Sequence, residues 1–216
     1  MKKSAGIAVV IVIASTLFVN AQEKNFGVIG GLNLANIRGD RTESINNSWR
    51  LAYQFGVFSN FSLSDKIALE PRVLFSSKGF NDEMDLGAFD NHSRIPVKYA
   101  NRDSYLSVPV LLKYKLMNNL SLDLGPEIAF LLYSKNVITK VDVEGFHAKG
   151  DVLHERSGDF FVDYGAMAGV TFYFTTKAFV QLNYFHGLSN LRREITIIES
   201  TENNSVLQLS LGYLIF

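Results

Sequence analysis

Apolar and polar residues alternate along most of this chain, the pattern of β-strands whose two faces meet different surroundings. Between Leu51 and Leu63 the odd-numbered positions are apolar apart from Ser59, and small or polar side chains dominate the positions between them. The alternation is clear in five segments and weaker in three. The clear segments are 51–63, 67–76, 105–116, 120–132 and 162–174, and the weaker ones are 26–36, 178–188 and 205–216. The pattern predicts eight strands of roughly 10–14 residues, the length of a tilted strand that crosses a bilayer.

The predicted connections alternate between short and long. Residues 64–66, 117–119 and 175–177 form tight turns, whereas the other four connections are long and polar: 39–50, 81–104, 134–159 and 189–204. Short periplasmic turns and longer external loops are typical of outer-membrane barrels, and closure removes the sheet edges that hydrocarbon does not tolerate. The sequence therefore predicts an all-β fold: an eight-stranded antiparallel transmembrane β-barrel with up-and-down order, periplasmic termini and four external loops.

The N-terminus has the pattern of an export signal. Lys2 and Lys3 precede an apolar stretch over 5–18, which ends in Val19-Asn20-Ala21. A basic start, a short apolar region and small residues at a cleavage site are typical of a signal peptide. We expect cleavage after Ala21, so that 1–21 is a signal peptide and 22–216 is a barrel in the outer membrane of a Gram-negative bacterium.

A soluble barrel of similar size is the main alternative, with its apolar faces turned inward. Two features disfavour it. The apolar faces are almost free of charge along whole strands, and the opposite faces are rich in glycine, serine and alanine as well as charge. Small residues suit a narrow interior, whereas a water-facing surface usually carries more lysine and glutamate.

Composition excludes several kinds of site. The chain has 21 basic and 21 acidic residues and no cysteine, which removes the electrostatic case for a nucleic-acid partner and excludes thiolate chemistry. The four histidines do not share one strand face, and no glycine-rich phosphate loop occurs. No cofactor, metal site or catalytic residue is predicted.

If the apolar faces meet lipid, eight charged side chains point into the lumen: Glu70, Arg72, Lys78, Lys113, Lys115, Asp123, Glu127 and Asp163. Four are basic and four are acidic. An eight-stranded barrel is only wide enough for side chains to fill its interior, and an unpaired buried charge is strongly destabilising. We expect a charge-paired, plugged lumen, with a narrow polar path as the alternative. Pro71 and Pro109 each remove a ladder donor, so we expect them at bulges near the rim.

Part of the chain resembles a known family. Residues 105–115 read YLSVPVLLKYK and resemble a strand of the PorT-like outer-membrane β-barrel ("porin family") proteins of Bacteroidota. Residues 30–36, 69–79 and 183–190 fit the same family. The resemblance implies the fold and the location, but no substrate. Phe216 resembles the C-terminal signal that the barrel-assembly machinery reads, although it is one residue out of phase with Leu207 to Ile215, which implies a bulge or a frayed end.

These observations favour a structural or surface-interaction role, with outer-membrane lipid around the barrel and a surface polymer or a protein at the external loops. Narrow porin-like permeation or assistance to a protein secretion system is the first alternative. An outer-rim enzyme is the second, and it would have to use loop residues such as Asp103, Asp151 and His154.

Overall fold

The computed structural model describes residues 25–39, 47–87, 94–141, 150–157, 161–191 and 201–215. The predicted signal peptide (1–21) and Phe216 lie outside these ranges. The described chain consists of nine strands: β1 (Asn25–Arg38), β2 (Arg50–Ser62), β3 (Ile67–Gly87), β4 (Arg94–Met117), β5 (Leu120–Val141), β6 (Val152–Ser157), β7 (Val162–Tyr173), β8 (Ala178–Gly187) and β9 (Asn203–Leu214). Within it, no helix has the length and apolar character that crossing a membrane requires.

Eight of these strands close into a ring. The antiparallel order β4-β3-β2-β1-β9-β8-β7-β5 is completed by pairing between β4 and β5. This confirms the predicted eight-stranded antiparallel barrel. The ninth strand, β6, is an addition that the sequence pattern did not predict, and it pairs with the part of β5 that lies beyond its contact with β7.

The apolar faces of the strands point outward, as the alternation predicts. On β5, Leu122, Leu124 and Ile128 are exposed while Asp123 and Glu127 are buried, and β7 alternates in the same way. The outward apolar side chains form a band around the ring, which we call the belt. It ends at Phe75 on β3, at Leu106 on β4 and at Leu132 on β5. Tyr53, Tyr114, Phe174 and Tyr213 lie on its exposed surface, where aromatic girdles are expected.

The two ends of the barrel differ. At one end, which we call the turn end, residues 63–66, 118–119 and 174–177 connect neighbouring strands. At the other end, β3, β4 and β5 continue past the belt, with Glu83 opposite Lys98 and Tyr99 opposite Ile138. We call residues 77–87, 94–104 and 133–141, together with β6, the extension. The prediction of loops over 81–104 and 134–159 was therefore wrong for much of their length, because hydrogen bonding between neighbouring strands holds these polar segments extended.

The prediction of bulges at Pro71 and Pro109 was also wrong. Pro71 lies opposite Val110 and Pro109 opposite Glu127, both within the belt, and the register is the same on either side of each proline. The β3–β4 ladder skips 72–73 and the β4–β5 ladder skips 110–111. A proline removes one donor, but the long paired segments on both sides keep the strands aligned without an extra residue.

Candidate functional site in the barrel interior

Lys78 is the centre of a buried polar cluster that joins three strands. Its ammonium group lies 2.8 Å from Glu127 Oε1 and 3.0 Å from Asp163 Oδ2. The same aspartate accepts hydrogen bonds from Ser189 Oγ at 2.5 Å and from Asn204 Nδ2 at 2.9 Å. These five residues form what we call the Lys78 network. One lysine thereby connects β3 to β5 and β7 across the interior.

A second cluster surrounds Lys113, nearer the turn end. The lysine ammonium lies 3.2 Å from Glu70 Oε2 and 3.6 Å from Asp123 Oδ1. Arg72 Nε donates to the first carboxylate at 2.9 Å. The second carboxylate accepts from two neutral side chains, Thr171 Oγ1 at 2.6 Å and Gln181 Nε2 at 2.7 Å. We call these six residues the Lys113 network; its two basic and two acidic groups balance.

Apolar side chains fill the interior beside both networks. Ala35, Leu111, Met167, Phe185 and Val206 form one buried cluster, and Ile29, Phe58, Leu74 and Phe179 form the other. Each lysine also faces an aromatic ring. Lys78 Nζ is 3.8 Å from the centroid of Phe185, and Lys113 Nζ is 5.1 Å from that of Phe179. The ring faces carry partial negative charge, so each ammonium has both ionic and cation–π partners.

The structure brings seven of the eight predicted lumen charges into these networks. All seven are buried, and each takes part in an ion pair. Lys115 differs from the expectation, because it is exposed and lines a cavity at the turn end instead of joining the Lys113 network. It points inward, but it lies two residues nearer the end of β4, where the interior opens.

Sequence reasoning missed the neutral partners that complete the Lys78 network. Ser189 follows β8 and Asn204 lies in β9, and both fall within a segment predicted as an external loop. Their polarity matched that of a loop, and nothing local distinguished them from solvated residues. Phe185 was placed in the weaker strand segment 178–188 and in the family-like segment 183–190 but was not assigned to the interior, although its alternation with Tyr184 was visible in the sequence.

The candidate residues for rim catalysis lie in the extension or next to it. Asp103 lies on β4 beyond the belt, opposite Lys78 and Ser134. Burial raises the pKa of Asp103 to about 6, against a hydrogen bond from Ser134 and the attraction of Arg50. Asp151 is exposed immediately before β6, and its backbone carbonyl accepts a hydrogen bond from the Ile138 amide. His154 pairs with Asn136 through the backbone, and its side chain lies outside the described set.

Comparison with known proteins gives one family match. Residues 20–193 match the model of the family described as "Outer membrane protein beta-barrel domain". No curated protein matches the sequence at a significant level.

The chain is also similar to solved barrels. One is the crystal structure of Ail, the attachment invasion locus protein of Yersinia pestis, in complex with the heparin analogue sucrose octasulfate. Its sequence is 12% identical to this chain and its TM-score is 0.46, and the match covers 89% of this chain and 99% of that chain. The crystal structure of Neisserial surface protein A is 9% identical in sequence and has a TM-score of 0.46, and the match covers 90% of this chain and 100% of that chain. The crystal structure of the outer membrane protein OprG from Pseudomonas aeruginosa is 12% identical in sequence and has a TM-score of 0.40, and the match covers 90% of this chain and 97% of that chain.

Proposed function

Since the chain belongs to the outer membrane protein beta-barrel domain family, we propose that it is a plugged barrel whose extension binds a partner protein outside the cell. In this arrangement the turn end, with the start of β1 and the end of β9, faces the periplasm. The observation that carries the proposal is the continuation of three neighbouring strands far beyond the belt. A barrel that only had to close would need no more than short connections at that end.

The length of the extension supports a role outside the membrane. On β4, residues 94–104 lie beyond the last outward apolar residue of the belt, Leu106. At about 3.3 Å per residue this part of the strand is roughly 35 Å long. Val97, Ala100, Val137 and Ile138 are buried within the extension, and Glu83 pairs with Lys98 at 2.9 Å on its exposed surface. The extension is therefore a packed sheet, able to hold a binding surface in a defined position.

Strand addition is the binding mode that this sheet fits best. Among the described strands, β3 pairs only with β4 from Glu83 to Gly87, and β6 pairs only with β5. A sheet edge presents backbone donors and acceptors to any extended segment that meets it. Main-chain hydrogen bonds then supply affinity, and alternate side chains supply specificity. The proposed partner is thus a protein that offers an extended segment, and a surface polymer is the second candidate.

Removing most of the β3 and β4 parts of the extension is expected to abolish partner binding at the β3 edge and leave the barrel intact. Gly79 and Arg102 lie opposite each other, so residues 80–101 can be replaced by Asn-Gly, which forms a two-residue hairpin turn. The removed strands contribute nothing to the ring below Phe75 and Leu106. Folding is checked by the mobility shift between unheated and boiled samples. Binding is measured by cross-linking on the cell surface, as the amount of each surface protein recovered with the full-length barrel and with the shortened barrel.

The control for this experiment keeps the extension and alters the interior instead. Gln181→Asn shortens one side chain of the Lys113 network and is expected to leave the recovery of partner proteins unchanged. Equal recovery with the shortened and the full-length barrel would contradict binding at the β3 edge of the extension.

The refolded barrel is expected to show no steady ion conductance in planar bilayers. The support comes from the two apolar clusters and the two charge networks inside the ring, where Arg72, Lys78, Phe58 and Phe185 are at most 2% exposed. Side chains packed in this way are expected to block the path of a hydrated ion through the described part of the barrel. An open porin in the same bilayers is the positive control. Steady conductance that rises with salt would favour the porin-like alternative and contradict the plugged lumen.

The proposal also includes membership in the PorT-like group of outer-membrane barrels. The resemblance of residues 105–115 to a PorT-like strand supports membership in the PorT-like barrels of Bacteroidota. The signal peptide over 1–21 is also part of the proposal, and the pattern of the N-terminus supports it. On this view the C-terminal strand is read by the barrel-assembly machinery, and assistance to a secretion system is one form that partner binding takes. No feature of the described residues favours an enzyme at the rim.

A further inference from the structure

A cavity of about 520 Å³ opens at the turn end of the barrel. Its wall is formed by residues at the turn-end ends of β2, β3, β4, β5 and β7 and by the three short turns. Small-molecule sites in proteins commonly have volumes of about 300–1,000 Å³. We call this cavity the vestibule. It is large enough for a small organic anion or for several linked phosphate groups.

The inner end of the vestibule meets the packed interior. Lys113 and Tyr173 line it there. Beyond them Phe179 lies 5.4 Å from the Tyr173 ring and 5.5 Å from the Phe58 ring, measured between centroids. A ligand that enters the vestibule from the turn end therefore meets a floor of one ammonium group and packed aromatic rings.

Basic groups outnumber acidic groups on the vestibule wall. Lys66, Lys113 and Lys115 line it, with Asp65 as the one carboxylate of the lining. The charge of Lys113 is balanced by Glu70 and Asp123 in its own network. Lys66 and Lys115 against Asp65 leave an excess of one positive charge, and the described residues form no ion pair with either lysine. Around these groups the lining is mostly hydroxyl and amide side chains, such as Asn60, which can donate hydrogen bonds.

Lys66 and Lys115 are neighbours on paired segments of the chain. The Lys115 amide donates to the Lys66 carbonyl at 2.8 Å, which places two like charges on adjacent chain segments. Like charges at such positions repel each other, and the low dielectric of the surrounding protein increases the potential inside the cavity. An anion between the two ammonium groups would remove that repulsion and accept hydrogen bonds from both.

From this geometry we propose that the vestibule is a binding site for a soluble anion carrying phosphate groups. The ligand enters from the turn end, contacts Lys66 and Lys115, and receives hydrogen bonds from the neutral side chains of the wall. The site is independent of the extension, which lies at the opposite end of the barrel, so either proposal can fail without the other.

The test measures binding of inorganic pyrophosphate to the folded barrel by titration calorimetry, in an uncharged detergent free of phosphate. Saturable binding of one pyrophosphate per barrel is expected, weakening as salt is added. Lys115→Gln should weaken it by about tenfold or more, because a charge-assisted hydrogen bond is lost. Lys177→Gln is the matched control, since Lys177 is exposed at the same end but does not line the vestibule.

Three results would overturn the proposal. They are the absence of saturable binding by a demonstrably folded barrel, equal weakening by the two substitutions, and Lys115-dependent binding that occurs only in bilayers containing phosphatidylglycerol. The last result would assign the lysines to a lipid headgroup instead of a soluble ligand.

Discussion

Replacing Lys78 by methionine is expected to destabilise the barrel by about 3–5 kcal/mol, the usual cost of leaving buried charges without their partner. Glu127 and Asp163 both pair with this lysine, and all three side chains are at most 1% exposed. Methionine keeps much of the volume and the contact with the Phe185 ring, so the loss is mainly electrostatic. The measurement is the free energy of unfolding from urea titration of the barrel in lipid vesicles, followed by tryptophan fluorescence.

Lys115→Met is the matched control for this prediction. It makes the same chemical change on an inward-facing lysine, but Lys115 is exposed and the described residues form no ion pair with it, so we expect a change below about 1 kcal/mol. Adding Glu127→Gln and Asp163→Asn to the Lys78 variant should recover part of the loss, because no unpaired charge then remains. If the Lys78 and Lys115 variants lost equal stability, the Lys78 network would not hold the strands together.

Replacing Gly31 by alanine is expected to prevent folding or to cost more than about 3 kcal/mol, the upper part of the range for overpacking. Gly31 lies on the inward face of β1, and a Cβ atom there would stand 2.2 Å from the carbonyl oxygen of Leu209 and 2.6 Å from Cα of Ser210. Both are backbone atoms of the paired strand β9. Relief therefore requires β1 and β9 to separate, which would disturb the ring where the first and last strands meet.

The neighbouring glycine provides the control, since Gly30 lies on the outward face of the same strand. A Cβ atom there meets nothing closer than 3.8 Å, so Gly30→Ala is expected to fold with normal stability. Both variants are compared by the fraction that shows the folded mobility shift after refolding, and by the free energy of unfolding of that fraction. Normal folding of the Gly31 variant would contradict the close approach of β1 and β9.

Much of the barrel could be predicted because the alternation of faces is a local property. Leu122 and Leu124 meet hydrocarbon while Asp123 between them points inward, and the residue types alone indicate which side is which. The same reasoning gave the inward phase of the eight charged residues. The extension was not predicted because backbone pairing holds its strands together and they have no continuous apolar face. Charged residues lie along them, among them Asp82, Glu83, Lys98 and Arg102.

Only the tertiary structure shows which charged groups pair with each other and how deeply each of them is buried. Lys78 meets Glu127 and Asp163, which are 49 and 85 residues away along the chain. Which carboxylate reaches which lysine depends on the stagger between strands, and no strand contains that information in its own pattern. Lys113 and Lys115 share a strand and a face, yet only the first lies deep enough to be enclosed.

The sequence by itself determined which side chains face lipid and which face the lumen, because a period of two residues follows directly from the geometry of a strand. The tertiary structure decided where the strands end, which charges pair and where the vestibule opens. These depend on hydrogen bonding and stagger between segments far apart in the chain, as the unshifted register through Pro71 and Pro109 also shows.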